Sequence, residues 1–393
     1  MTKLDKLIQE LCPDGVKYKA LGEICKLVTG ATPSKTNAAY WENGTIPWMS
    51  SGEVNLKRVA ATEKKITQLG YEKNSTTIVP KHSVVIALAG QGKTRGKAAI
   101  TEIELCTNQS LCSMICNENL DYKFLYYILD GKYEELRAIS NGDGTRGGLS
   151  LKILAPYKIP VPPLPVQREI VRILDNFTEL TAELTAELTA RKQQYEYYRN
   201  RLLTFDVHKG GTSRTEWRTF GETCFLQAGK AIDAESISKE KTLEYCIPCY
   251  GGNGLRGYVR KANQKGEKPL VGRQGALCGN VCFAKGDYYA TEHAVVVTDR
   301  GFYNSRFLYH LLVNKNLNQY KTAGAQPGLS VTKLETILLP VPEMEIQNRI
   351  ADVLDYFDAI CTDLNIGLPA EIEARQKQYE YYRDKLLSFE EKT

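Results

Sequence analysis

Residues 194–205 read QYEYYRNRLLTF, and residues 378–389, near the end of the same chain, read QYEYYRDKLLSF. The first copy closes a helical run that begins near Val166 and contains Thr-Ala-Glu-Leu twice in succession at residues 181–188. A match of this length within one chain indicates an internal duplication. The long helices that end in the two copies are therefore predicted to be its shared parts.

Shorter landmarks repeat in the same order in the two halves of the chain. The matching pairs are Tyr18–Cys25 with Trp217–Cys224, Ile46-Pro47 with Ile247-Pro248, Gln91-Gly92 with Gln274-Gly275, residues 148–150 with 328–330, residues 160–162 with 340–342, and Gln167 with Gln347. Between these landmarks the two halves share few residues. We expect a common frame that carries two different sets of loops.

The composition is that of an ordinary globular protein of two or three domains. The chain has 393 residues, of which 42% are hydrophobic and 25% are charged, and its formal net charge is +5. Its apolar runs are too short to span a bilayer, and its first residues lack the apolar segment of a signal peptide. We interpret the 11 cysteines as reduced thiols, so the sequence predicts a cytoplasmic protein without a membrane segment.

The order of elements predicts an α+β fold with two mixed, strand-rich domains and two long antiparallel helices. The expected boundaries are residues 1–158 for the first domain with its short N-terminal helix, 159–206 for the central helix, 207–340 for the second domain and 341–393 for the C-terminal helix. Pro-Val-Pro connectors at residues 160–162 and 340–342 cannot lie inside a helix, so each should precede a long helix. The duplication should relate the two halves by a pseudo-two-fold axis.

Apolar residues at steps of three and four run along both long helices, which is the spacing of a coiled coil. They are Ile170, Ile173, Leu174, Phe177, Leu180, Leu184 and Leu188 on the first helix, and Ile346, Ile350, Leu354, Phe357, Ile360 and Leu364 on the second. About 38 helical residues predict a spacer of roughly 57 Å, to which each Thr-Ala-Glu-Leu unit contributes roughly 6 Å and about 40° beyond a full turn. Gly367-Leu368-Pro369 should break the second helix, which we expect to restart at Pro369.

Polar and basic residues lie in the loops between predicted strands, where lysine and arginine can bind phosphates and arginine, glutamine and asparagine can contact base edges. The candidate DNA-binding residues are Gln91, Lys93, Arg95, Lys97, Asn108, Gln109, Arg146, Arg256, Arg260, Arg273, Gln274 and His293. In the sequence comparison, Asn108-Gln109 occupy the place that matches His293. For each residue alone, a solvated turn or a structural hydrogen bond is the alternative interpretation.

Three other patterns invite a catalytic or metal-binding interpretation. Residues 87–94, ALAGQGKT, approach a nucleotide-binding P-loop but lack its first glycine, and the second half has no lysine-threonine pair at this place. Cysteine pairs at 246/249 and 278/282 have spacings that zinc could use, although the first half has no counterpart. His293 has no nucleophile signature near it, and no adenine-methyltransferase motif occurs, so any catalyst should be a partner chain.

Together these features resemble the specificity subunit of type I restriction-modification systems. They are the opening Leu-Cys-Pro-Asp-Gly at residues 11–15, the Pro-Val-Pro connector followed by Gln167, the Thr-Ala-Glu-Leu units, the paired Tyr-Glu-Tyr-Tyr-Arg endings and the two diverged domains. The resemblance implies that each domain is a target recognition domain for one half of a split site in double-stranded DNA. It also implies a noncatalytic chain whose helices set the half-site spacing and bind two modification subunits.

The same resemblance assigns the chemistry to partner chains, so no cofactor or metal is expected in this chain. The modification subunits would carry S-adenosylmethionine and methylate adenine, and restriction or translocase subunits would use ATP with Mg²⁺. The candidate spacer and partner-binding residues are Gln167, Leu180, Leu184, Leu188, Tyr195, Tyr198, Gln347, Tyr379 and Tyr382. Two other interpretations stay open: a coiled-coil adaptor whose domains bind proteins, and a P-loop enzyme.

Overall fold

A computed structural model describes residues 2–90, 94–140, 148–205, 215–275, 277–322, 327–362 and 366–392. The chain forms two compact units. Unit 1 comprises Met1–Glu183 and Ile372–Thr393, and unit 2 comprises Leu184–Glu371. One boundary falls inside the long central helix, so each unit contains a part of that helix together with its own sheets. No helix in the described ranges is long and apolar enough to span a membrane.

Unit 1 contains the first helices and strands of the chain and the beginning of its longest helix. In chain order they are α1 (Lys3–Leu11), β1 (Tyr18–Ala20), α2 (Leu21–Ile24), β2 (Cys25–Thr29), β3 (Ile46–Met49), β4 (Arg58–Val59), β5 (Lys64–Ile66), α3 (Gln68–Lys73), β6 (Ile78–Val79), β7 (Val84–Ala87), β8 (Ala98–Thr101), β9 (Leu105–Thr107), β10 (Leu111–Cys116), α4 (Tyr122–Gly131), α5 (Tyr133–Ala138), α6 (Leu151–Leu154), β11 (Lys158–Pro160) and α7 (Leu164–Leu202). The part of α7 up to Glu183 belongs to unit 1.

Three sheets make up the β-structure described in unit 1. A five-stranded sheet has the order β2-β10-β7-β8-β4, a four-stranded sheet has the order β5-β3-β9-β6, and β1 pairs with β11. β7 (VVIA) and β8 (AAIT) are buried along their whole length, because their β-branched and small side chains suit a strand covered on both faces. α4 covers one face with Phe124, Leu125 and Leu129, which are buried in one cluster with Val84 and Ile86.

Unit 2 contains the remaining strands and helices. In chain order they are β12 (Glu216–Thr219), α8 (Phe220–Thr223), β13 (Cys224–Ala228), β14 (Ile247–Gly251), β15 (Gly254–Val259), β16 (Gln264–Lys265), β17 (Lys268–Gly272), β18 (Val281–Ala284), β19 (Asp287–Ala290), β20 (Ala294–Asp299), α9 (Ser305–Asn314), α10 (Val331–Glu335), β21 (Leu338–Val341), α11 (Met344–Thr362) and α12 (Leu368–Leu386). From Ile372 onward α12 belongs to unit 1.

Unit 2 repeats much of the sheet arrangement of unit 1. Its central sheet has the order β13-β20-β17-β18, a second sheet has the order β15-β14-β19-β16, and β12 pairs with β21. In both units the second sheet contains a parallel pair, with Trp48 opposite Cys106 in β3 and β9, and Cys249 opposite Tyr289 in β14 and β19. The duplication seen in the sequence is therefore also a duplication of sheet register.

Within each unit one long helix packs against another. In unit 1, Tyr382 of α12 stacks on Phe177 of α7, with ring centroids 5.5 Å apart and an interplanar angle of 23°. In unit 2, Tyr198 of α7 stacks on Phe357 of α11 at 5.6 Å and 23°. These equivalent contacts confirm the prediction that the central helix pairs with the C-terminal helical segments.

The relative direction of the paired helices follows from the order of contacts in unit 2. Phe357 of α11 contacts Tyr198 of α7. Further along α11, burial raises the pKa of the Cys361 thiol, and the charge of Lys192 on α7 acts against this shift. Since the residue number rises along α11 while it falls along α7, the two helices are antiparallel, as predicted.

The C-terminal helix is broken where the sequence predicts it. α11 ends at Thr362, and α12 begins at Leu368. Pro369 thus lies in the first turn of α12, where the backbone N–H that proline lacks has no partner in the helix.

The candidate spacer residues of α7 and α12 differ in burial. Tyr379 is buried and Tyr195 is half-buried, and each packs within its own unit. Leu184 and Leu188 are half-buried, and Leu180 is 37% exposed. The leucine row is therefore only partly covered by the described residues.

Two buried glutamines hold the long helices to their own domains. Gln167 Nε2 donates to the carbonyls of Pro162 at 2.7 Å and Asn119 at 2.9 Å, and its Oε1 accepts from Asp121 N–H at 2.8 Å. The amide of Gln347 makes the same three bonds, to the backbone of Phe302, Asn304 and Pro342, at 2.8–2.9 Å. Counting from these two glutamines therefore gives equivalent positions on α7 and α11.

Candidate nucleic-acid interface

In unit 2 three backbone segments meet at one end of the central sheet. Arg273 follows β17, its N–H donates to the carbonyl of His293 at 2.9 Å, and its own carbonyl accepts from Leu329 N–H at 2.8 Å. Gln274 forms an isolated antiparallel bridge with Gly328. The loop after β17, the bend before β20 and the segment before α10 therefore lie side by side.

A fourth segment, the turn between β14 and β15, reaches the same place because glycines allow a close approach. A Cβ added to Gly252 would lie 2.9 Å from the carbonyl oxygen of Gln274, closer than real side chains come. One added to Gly251 would lie 3.6 Å from Thr291 Oγ1 and 3.7 Å from Arg256 Cδ. The arginine on β15 is therefore beside the bend that precedes β20.

Apart from the acidic Glu292, the side chains discussed at this end of unit 2 are basic or polar. Arg256 and Gln274 are exposed, and Arg273 and His293 are half-buried. Within the described residues neither Arg273 Nε nor His293 Nδ1 has a hydrogen-bond partner, while His293 Nε2 lies 3.1 Å from Glu292 Oε1. Unused hydrogen-bonding atoms beside an exposed arginine and glutamine suit contacts with phosphates and base edges.

Arg260 is not brought to this cluster. It follows the last residue of β15, whereas Arg256 lies within the strand. Its guanidinium lies 3.1 Å from Glu244 Oε1 and 4.8 Å from the ring centre of Tyr245. Arg260 therefore belongs to a separate exposed surface of unit 2.

The equivalent three segments meet in unit 1. Leu88 follows β7, its N–H donates to the carbonyl of Ser110 at 2.8 Å, and its own carbonyl accepts from Leu149 N–H at 2.8 Å. In the bend between β9 and β10, Asn108 Oδ1 accepts from Ser110 N–H at 3.0 Å, and Gln109 is exposed. Asn108 and Gln109 are thus presented at the same end of the sheet as Arg273 and its neighbours in unit 2.

The loop between β7 and β8 carries the basic candidates of unit 1. Arg95 and Lys97 are both half-buried. Lys97 Nζ donates to Asn55 Oδ1 at 2.8 Å, and Arg95 Nε has no hydrogen-bond partner in the described part of the chain. Gln91, Lys93 and Arg146 lie outside the described residues.

The strand register aligns the loops of the two units residue by residue. Leu88 corresponds to Arg273, Asn108 to Thr291, Gln109 to Glu292 and Ser110 to His293, as their shared backbone bonds and strand pairings require. The sequence comparison was wrong in placing His293 opposite Asn108-Gln109. The error arose because this bend has no residue in common between the two halves, so only hydrogen bonds fix the alignment.

Sequence analysis did not select Thr32 and Lys230, which lie at the same sheet ends. The hydroxyl of Thr32 donates to Gln109 Oε1, and the exposed Lys230 bridges to the bend before β20. Thr32 lies two residues after Gly30, and Lys230 lies one residue after Gly229. A Cβ added to either glycine would clash with a backbone carbonyl oxygen, 1.7 Å away for Gly30 and 2.2 Å away for Gly229. This matched pair of glycines is the sequence signal that could have identified them.

The cysteines with zinc-like spacing are not arranged as a metal site. Among the described residues, no group of three or more His, Cys, Asp or Glu side chains could hold a metal ion. Burial raises the pKa of the Cys249 thiol to about 11 and that of Cys282 to about 12. Both thiols are therefore protonated at neutral pH.

Comparisons with known proteins agree with this architecture. Residues 13–191 and 214–374 match the family described as type I restriction modification DNA specificity domain. The type I restriction enzyme EcoprrI specificity subunit of Escherichia coli is 39% identical over 93% of this chain and 92% of its own length. The EcoR124I/EcoR124II specificity subunit of the same organism is 30% identical over 99% of this chain and 97% of its own length.

The crystal structure of an S subunit from M. genitalium shares the fold, with a TM-score of 0.62 at 16% identity. The similarity covers 95% of this chain and 96% of that chain. The chain belongs to the family of type I restriction-modification specificity subunits.

Proposed function

We propose that this chain is the noncatalytic subunit of a type I restriction-modification complex and that each unit reads one half of a bipartite, asymmetric DNA site. The observation that carries the proposal is the pair of equivalent sheet ends, which share a backbone frame but differ in side chains. Unit 1 presents Asn108 and Gln109 where unit 2 presents Thr291 and Glu292. Two unlike reading surfaces in one chain favour two unlike half-sites at a fixed separation.

In unit 2 we assign base contacts to Arg273, Gln274 and His293, and phosphate contacts to Arg256. Arginine and glutamine can form paired hydrogen bonds with guanine and adenine in the major groove. Exposed arginines at the edge of the surface bind phosphates and release counterions, which gives affinity without sequence information. The half-buried position of Arg273 and His293 supports the base-contacting role, because such side chains have few orientations to choose from.

In unit 1 we assign the same two roles to the equivalent loops. The proposed base-contacting residues are Gln91, Asn108 and Gln109, and the proposed phosphate-binding residues are Lys93, Arg95, Lys97 and Arg146. Asn108 and Gln109 stand where unit 2 has Thr291 and Glu292. Leu88 and Ser110 stand where unit 2 has Arg273 and His293. The two half-sites should therefore differ in sequence.

The long helices complete the proposal. α7 and the C-terminal helices set the gap between the half-sites and bind two modification subunits, with the leucine row of α7 and the exposed Tyr198 and Tyr382 as candidate contacts. The modification subunits supply S-adenosylmethionine, and restriction or translocase subunits supply ATP with Mg²⁺. The complex would act on chromosomal DNA in the cytoplasm.

Co-expression of this chain with its modification subunits, followed by mapping of methylated adenine in host DNA, tests the proposal. The expected result is methylation at a split motif whose two halves differ and are separated by a constant gap. A continuous palindromic motif would overturn the two-reader assignment. Tight binding of other proteins together with no measurable DNA binding would instead favour an adaptor.

A further inference from the structure

In unit 1 the N-terminal helix α1 covers one face of α7. Lys3 Nζ lies 2.8 Å from Glu169 Oε2, and Leu4 is buried in one apolar cluster with Val166 and Ile170. Two further apolar residues of α1 pack against this cluster. Under this cover even the charged side chain of Glu169 is only 4% exposed.

The equivalent face of α11 in unit 2 has no such cover among the described residues. Ile346, Val353 and Tyr356 are 38%, 44% and 68% exposed, whereas Val166, the counterpart of Ile346, is fully buried. Steps of seven and three put the three exposed side chains on one side of the helix. Residues 206–214, DVHKGGTSR, connect α7 to β12 and contain one aliphatic residue, so their sequence has no amphipathic pattern like that of α1.

The charges beside this face are reversed between the units. Glu169 and Arg172 of α7 correspond to Arg349 and Asp352 of α11, as counting from the two buried glutamines shows. α1 meets Glu169 with Lys3, but a lysine at the same place on α11 would meet Arg349. A second copy of α1 is therefore disfavoured here, and a helix with the opposite charge is favoured.

We propose that the α11 face formed by Ile346, Val353 and Tyr356 binds an amphipathic helix of a partner subunit that carries a carboxylate near its N-terminus, beside Arg349. The apolar residues of that helix recur at steps of three and four, as they do in α1. Its carboxylate is stabilised both by Arg349 and by the positive end of its own helix dipole. The inference rests on the proposed function, since it names the chemistry of one contact in the docking of partner subunits.

The consequence is that the two units dock partners differently. In unit 1 the chain's own α1 covers the part of the face around Val166 and Glu169, whereas no described residue covers the equivalent part of α11. A substitution on α11 should therefore remove one partner subunit and leave the other bound.

The test uses the full chain co-purified with its modification subunits, with subunit number measured by native mass spectrometry. Val353→Asp and Tyr356→Asp should each reduce the complex from two modification subunits to one, or weaken the second binding step at least tenfold. Arg349→Glu should weaken the same step and leave the apolar surface unchanged. Asn176→Asp, at the exposed position of α7 that corresponds to Tyr356, is the matched control and should keep both subunits.

Thermal unfolding of each variant alone separates lost docking from lost folding, because the substituted side chains are exposed and should not change the unfolding midpoint. Two modification subunits bound at wild-type strength to Val353→Asp and Tyr356→Asp would overturn the inference and leave the proposed function standing. Wild-type binding by Arg349→Glu would overturn the assignment of a carboxylate. A wild-type chain that binds no modification subunit would overturn both the inference and the proposed function.

Discussion

His310 Nε2 lies 2.6 Å from Asp355 Oδ1 in unit 2, at the position where unit 1 places Tyr127 Oη 2.6 Å from Asp175 Oδ1. On the other side of the ring, His310 Nδ1 lies 3.2 Å from the hydroxyl of Tyr195. Burial of the imidazole lowers its pKa below the usual value, although its bond to Asp355 opposes this shift. The neutral ring therefore donates to the carboxylate and accepts from the tyrosine, and so connects α9 to both α7 and α11.

We expect the free energy of unfolding to decrease as the pH falls below about 6.5, the ordinary pKa of histidine. A folded-state pKa below the unfolded value means that the unfolded chain binds more protons, so acid favours unfolding. Replacing His310 with tyrosine, the residue that unit 1 uses at this position, should flatten this part of the pH profile. Thermal unfolding between about pH 7.5 and about pH 5 measures the effect.

A matched variant for this experiment is Gln193→Ala, which replaces an exposed side chain of α7 that does not titrate. It should keep the pH dependence of the wild type. A profile for His310→Tyr as steep as that of the wild type would show that acid destabilises the chain elsewhere.

The buried glutamines give a second prediction. Gln347→Ala would leave Asn304 N–H and the carbonyls of Phe302 and Pro342 without their side-chain partner. An unsatisfied buried polar group costs about 1–3 kcal/mol, so we expect the free energy of unfolding to fall by about this amount in urea titrations. Gln193→Ala on the exposed side of α7 is the control and should change it by less than about 0.5 kcal/mol.

The equivalent change in unit 1, Gln167→Ala, should have a similar effect, because Gln167 makes the same set of bonds. A loss confined to one of the two variants would contradict the idea that the glutamines play the same part in both units.

The positions and pairing of the long helices could be predicted from the sequence because the internal duplication repeats their landmarks in both halves of the chain. Gln167 and Gln347, or the connectors before them, are each weak signals alone, but their repetition in the same order fixes the start of both long helices. Stacking of Tyr198 on Phe357 and of Tyr382 on Phe177 follows from the same repetition. The pairing of the helices was therefore predictable from spacing and order.

The candidate interface could be predicted only in part, since backbone bonds between distant segments assemble it. The bond from Leu149 N–H to the Leu88 carbonyl joins loops that share no local pattern. The ion pair of Arg260 with Glu244 likewise depends on how β15 is placed, so the sequence grouped Arg260 with Arg256. Where the two halves differ in length and composition, the repeat cannot be used to align them. His293 was therefore aligned with the wrong residues of the first half.

The separation of Arg256 from Arg260 gives a third prediction. If the Arg256 side chain contacts a base, Arg256→Ala should weaken binding of the assembled complex to its DNA by roughly 1–3 kcal/mol. If it contacts a phosphate, the substitution should reduce the slope of log binding constant against log salt concentration by about one. Arg260→Ala should weaken binding less, because Glu244 already neutralises the guanidinium. Fluorescence anisotropy at several salt concentrations distinguishes the two kinds of contact.

Substitutions in unit 2 should also act on one half-site alone. We expect Arg273→Ala and Gln274→Ala to relax methylation at one half of the split motif, since both residues lie at the sheet end of unit 2. Asn108→Ala in unit 1 is the matched variant and should relax the other half. Loss of selectivity at both halves from a single substitution would contradict independent reading by the two units.

The length of the central helix gives the last prediction. α7 is continuous from Leu164 to Leu202 and includes both Thr-Ala-Glu-Leu units, so a third unit inserted after Leu188 should extend the helix without a break. Four more residues add roughly 6 Å and turn the helix about 40° beyond a full turn. We expect the gap between the methylated half-sites to grow by about one or two base pairs, with the half-sites themselves unchanged.

Thr185→Ala, which alters the Thr-Ala-Glu-Leu unit but not its length, should leave the gap as it is. An unchanged gap in the insertion variant would mean that something other than α7 fixes the half-site separation.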